Sequence, residues 1–76
     1  MYTQILESLM KNANAEYETA STNFKIYLSN PVGVGEHPSI VEEAEKLLEK
    51  MANAQGKRDL LNQIVSEINQ NEKEGK

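Results

Sequence analysis

Two apolar stripes of the same rhythm, separated by one short break, constrain this chain more than any other feature. Before the break, Leu6, Met10, Ala13, Tyr17, Ala20, Phe24 and Tyr27 recur at alternating steps of four and three residues. After it, Ile40, Ala44, Leu47, Met51, Ala54, Arg58, Leu61, Val65 and Ile68 do the same. An α-helix turns once in 3.6 residues, so this alternation keeps each set on one face. The first stripe predicts an amphipathic helix over residues 3–28, with Gln4, Lys11, Asn14, Glu18 and Lys25 on the opposite face. Its final segment, NFKIYL, is rich in β-forming residues, but a lone strand has no partner here, and the helical reading prevails. The second stripe predicts a helix over residues 39–71. Glu42 and Lys46 form a favourable pair four residues apart. Gly56 costs about 1 kcal/mol relative to alanine in a helix interior, yet the stripe keeps phase through it, which favours one helix over two. The polar tail NQNEKEGK is expected to fray.

The break itself is NPVGVGEHPS, a connector over about residues 29–38 running into the second helix. It holds both prolines, two of the four glycines and the only histidine. A residue before proline is pushed out of the helical region, so Asn30-Pro31 ends the first helix. Gly33 and Gly35 supply conformational freedom for the turn. Ser39-Ile40-Val41-Glu42 matches a capping box that restarts a helix, or Pro38 occupies its first position. A connector this short holds no third element. The chain is therefore expected to be all-α, a single domain over 1–76: an antiparallel, coiled-coil-like two-helix hairpin. Folding about the break brings Tyr27 near Ile40, Ala20 near Leu47, Tyr17 near Met51, Ala13 near Ala54 and Leu6 near Leu61. The level of the two alanines is the expected closest approach.

The segment YLSNPVGVGEHPSIVEE resembles one found in small helical proteins of marine tailed bacteriophages. The resemblance covers about half the chain and includes no catalytic or binding motif. It implies a viral or environmental origin, and a role in an infected bacterial cell or in a particle; it assigns no residue a function.

A hairpin has one seam, and this sequence has more apolar residues than one seam needs. Tyr2, Ile5 and Leu9 widen the first helix near its start, and Leu60 and Ile64 widen the second near its end. Antiparallel packing makes these ends neighbours, so the surplus gathers at the end far from the connector, with a smaller one at Val41 and Leu48. Contiguous apolar surface of this kind marks a contact surface. The expected partner is a second copy, giving a dimer of hairpins and a four-helix bundle through Tyr2, Ile5, Leu9, Leu60 and Ile64.

Other candidate sites are weaker. Gly33-Val34-Gly35 lacks the preceding strand, the third glycine and the lysine of a phosphate loop, so it reads as a turn. His37, with Glu36 and Glu42 or Glu43, falls short of a metal site, which wants three or more ligands at fixed distances. No Glu-x-x-His occurs, so a di-iron carboxylate bundle is not expected. Arg58 interrupts the second stripe; its stem is expected to pack while its head reaches solvent or a carboxylate such as Glu7, with Glu16 the other charge near that level. Tyr17, Phe24 and Tyr27 lack the interleaved basic residues of a nucleic-acid surface. The carboxylates Glu42, Glu43, Glu45 and Glu49 read as a solvated face.

Twelve acidic and eight basic residues give the 76-residue chain a formal charge of −4, which disfavours nucleic acid as a partner. There is no cysteine, so disulfides and thiolate chemistry are excluded. No apolar run approaches the ~20 residues of a membrane span, and the N-terminus lacks the pattern of a signal peptide. The expectation is a cytoplasmic, non-catalytic structural or interaction module without a cofactor or metal. The alternative is a small acidic effector that binds a basic protein surface.

Overall fold

The computed structural model describes residues 2–29 and 40–74, with side chains described over 3–29 and 40–71. All the described residues are helical: α1 spans Tyr2–Ser29 and α2 spans Ile40–Glu74. The two helices pack against each other. They run antiparallel, since Thr3 and Leu6 share a groove with Val65 and Ile68, whereas Ala20 and Asn23 share one with Leu47 and Lys50. The helical hairpin expected from the paired stripes is thus the architecture. The connector lies outside the described residues, and with it the Asn30-Pro31 stop, the turn at Gly33 and Gly35, the Pro38-Ser39 restart and the Glu36-His37 pair.

α1 runs through NFKIYL without interruption because Phe24 and Tyr27 continue its stripe into the seam, where both are half-buried. In its last turn the Ser29 hydroxyl donates to the Ile26 carbonyl at 3.3 Å, satisfying one of the acceptors that a helix end leaves without a partner. α2 opens with Glu42 and Glu43 in its first turn, where carboxylates favour the positive end of the helix dipole. Lys46 pairs with Glu43 at 3.5 Å rather than with the expected Glu42, one turn of the helix being spanned equally well by three residues as by four. α2 also continues to Glu74, past the residue 71 at which its tail was expected to fray. The sequence offers no helix breaker before Gly75.

Every residue of the first stripe is buried or half-buried. The second stripe holds from Ile40 to Leu61 and again at Ile68, with one departure. Val65 is left exposed and Ile64, expected on the flank, is half-buried instead. The seam passes between them: Ile64 leans to the side of Leu9 and Leu60, and Val65 to the side of Leu6 and Met10. Among the described residues the buried core is small, consisting of Ala13, Ala20, Ala54 and Leu61. Ala13 and Ala54 are each only 1% exposed, as expected at the level where two methyl side chains bring the helices closest.

The molecule measures 62 × 17 × 15 Å between Cα atoms, which is two helices wide and one deep. Its accessible surface of 6047 Å² exceeds the roughly 4,700 Å² of a compact protein of this mass. Among the described residues nothing covers the two flanks of the seam.

Candidate functional site

The flank on the side of Leu9 divides into an apolar end and a polar middle. At the end distal to the connector, Leu9, Leu60 and Ile64 line one groove of about 300 Å³. Ile5, one turn before Leu9 on the same helical face, extends it. Ile5, Leu9 and Leu60 are 55%, 45% and 56% exposed, large apolar side chains that the hairpin half-covers at best. Four of the five residues expected at the contact surface are therefore gathered on one flank. The side chain of the fifth, Tyr2, lies outside the described residues, although its backbone begins α1. The groove across the seam is also apolar, lined by Leu6, Met10, Leu61, Val65 and Ile68, with Glu7 at its rim.

A second apolar group sits at the connector end. Val41 and Leu48 are exposed there as expected, and so are Ile26 and Leu28. Sequence reasoning passed over the last two, although each adjoins Tyr27 of the first stripe and so has to project to one side of the seam.

Between the two ends the flanks are polar and tied across the seam. The Lys57 ammonium lies 3.1 Å from a Glu16 carboxylate oxygen. On the other flank the Arg58 guanidinium stacks 4.3 Å from the centroid of the Tyr17 ring and donates to Asn14 Oδ1 at 3.3 Å. Arg58 therefore packs its stem as expected, but its head goes to Asn14 and Tyr17 instead of Glu7. Asn14, expected on the outer face of α1, lies close enough to the seam for that contact. Both basic side chains arise one to two turns beyond the levels of their partners and lean back toward the start of α2, the direction in which helical side chains point.

Among the described residues, no group of three or more His, Cys, Asp or Glu side chains is placed to hold a metal ion. No helix among them is long and apolar enough to cross a membrane. The grooves are open surfaces, and among the described residues no buried side-chain polar atom is left without a hydrogen-bond partner. Comparison with protein-family models, with curated proteins and with solved structures gives no match.

Proposed function

We propose that this chain is a non-catalytic, self-associating helical module, with a second copy covering its distal apolar flank to complete a four-helix bundle there. One observation carries the reading: Ile5, Leu9 and Leu60 stand about half exposed beside Ile64 on one face of a hairpin whose own core is three alanines and a leucine. Such a core leaves little margin of stability, and small domains commonly compensate by oligomerising. The resemblance to small phage proteins implies a setting for the module, an infected bacterial cell or a particle.

The flank that the second copy covers is small and association costs translational and rotational freedom, so the dimer is expected to be weak and the test must reach high concentration. Sedimentation equilibrium up to hundreds of micromolar is expected to show a monomer–dimer equilibrium, which Leu9→Glu abolishes by placing a charge in the contact. A compact monomer throughout excludes the reading. It leaves the acidic effector, whose binding to a basic partner weakens sharply with ionic strength.

A further inference from the structure

The apolar flank carries its side chains in two pairs of equal spacing. Ile5 and Leu9 stand four residues apart on α1; Leu60 and Ile64 stand four apart on α2. The pairs lie side by side at the distal end, where Leu9 shares its groove with both Leu60 and Ile64. A two-fold axis lying across the rod, midway within each pair, seats Ile5 of one copy on Leu9 of the other and Leu60 on Ile64. α1 then runs antiparallel to α1 of the second copy, and α2 antiparallel to α2. The same operation opposes the residue three positions before Leu60 to the residue three positions after Ile64. These are Lys57 and Glu67, of opposite charge and both exposed. Lys57 already faces Glu16, and Glu67 accepts from the Gln63 amide at 3.4 Å. Each is a surface contact open to sharing, as exposed ion pairs hold their geometry weakly.

The other two-fold arrangement runs its axis along the rod and lays α1 on α2 of the second copy over the full length. It buries the polar middle of the flank, where Lys50 lines a groove with Thr19, Asn23 and Asn53. The one carboxylate in that groove, Glu16, is held by Lys57. Under a second copy Lys50 and Lys57 then compete for that one carboxylate, and burying the surplus positive charge is unfavourable.

We infer that the second copy docks end over end: the two rods overlap over about their distal halves, with Lys57 facing Glu67 of the second copy on each side of the axis. This rests on the self-association proposed above and fixes its geometry. The four-helix section is short, and the polar half of each hairpin projects into water in opposite directions.

The chain has no cysteine, so single cysteines report geometry directly. Mixing Leu60→Cys with Ile64→Cys, or Ile5→Cys with Leu9→Cys, and adding a short bis-maleimide is expected to give a mixed dimer as the main cross-linked product. Leu9→Cys with Leu60→Cys is expected to give almost none; the reverse pattern overturns the geometry while leaving a dimer. Scattering from the unsubstituted chain is expected to show a longest dimension of roughly 90 Å, from two overlapping helical rods. A value near the 62 Å of one hairpin, with the mass of a dimer, also overturns it. Charge reversal gives a third readout, because Lys57→Glu alone and Glu67→Lys alone each set like charges face to face, whereas an equimolar mixture restores both pairs. The mixture is expected to associate more tightly than either variant, and equal association of all three counts against the geometry. A monomer at every concentration removes the self-association itself, a failure that mass separates from failure of the geometry.

Discussion

Arg58 stands where the second stripe calls for an apolar side chain, and it holds that place by using different parts of itself on different partners. Its stem lies in the seam, its guanidinium face covers the Tyr17 ring at 4.3 Å, and one N–H reaches Asn14. A cation over an aromatic face at a partly exposed site is worth about 0.5–1 kcal/mol. A double-mutant cycle with Arg58→Met and Tyr17→Leu, followed by urea unfolding, is expected to give a coupling energy in that range. Arg58→Lys is expected to lose most of it, because an ammonium cannot lie as a plane over the ring while also donating to Asn14. If Arg58→Lys matches the parent chain, the stacking contributes nothing. The break in the stripe at Arg58 is legible in the sequence, but its partners are not. Asn14 sits among polar neighbours that a helical wheel sends outward, and only the inclination of side chains across two packed helices brings it to Arg58.

At the scale of the helices, the four-three rhythm decided nearly everything because it is a purely local property. Each heptad reports its own face, and both stripes could be followed without knowing what lay opposite. The rhythm stops being decisive where two apolar residues are adjacent, as at Ile64-Val65, because either can enter the seam. The choice there depended on what α1 offers on each side, which is a tertiary fact. The apolar surplus at the distal end could be read from the sequence, and the exposure of Ile26 and Leu28 was equally legible from the place of Tyr27 in the stripe, although sequence reasoning passed over it. Gly56 gives a direct test of the α2 reading. A methyl group built there meets nothing within 4 Å, so alanine removes backbone entropy from the unfolded chain and meets no obstacle in the folded one. Gly56→Ala is expected to stabilise the hairpin by about 0.5–1 kcal/mol, seen as a higher urea midpoint with unchanged slope. Ala54→Leu is the opposite case. Ala54 is 1% exposed at the closest approach, and overpacking such a site costs about 1–3 kcal/mol. A neutral effect there shows that the helices separate easily at that level.

For the molecule as a whole, the controlling quantity is the shortage of core. Two helices enclose a line of contact rather than a volume, and the most buried positions on that line are alanines, which contribute least per residue to the hydrophobic term. The cross-seam ties Glu16–Lys57 and Arg58–Asn14 lie at the surface, where ion pairs and hydrogen bonds are worth at most about 1 kcal/mol each. The hairpin therefore has no large internal reserve, and its stability is expected to be linked to association. A binding event that favours the folded chain stabilises it by mass action. Each tenfold rise in protein concentration then adds about 1.4 kcal/mol per dimer, which raises the thermal midpoint by roughly 3–6 °C for a folding unit of this size. Circular dichroism melts from about ten micromolar to one millimolar are expected to show that rise, and Leu9→Glu to remove the concentration dependence while lowering the midpoint at the high end. The substitution lies at a position already half in water, so it leaves the Ala13–Ala54 level and the hairpin's own fold intact. A midpoint independent of concentration in the parent chain means instead that the two helices are sufficient by themselves, and the exposed distal flank then awaits a different occupant.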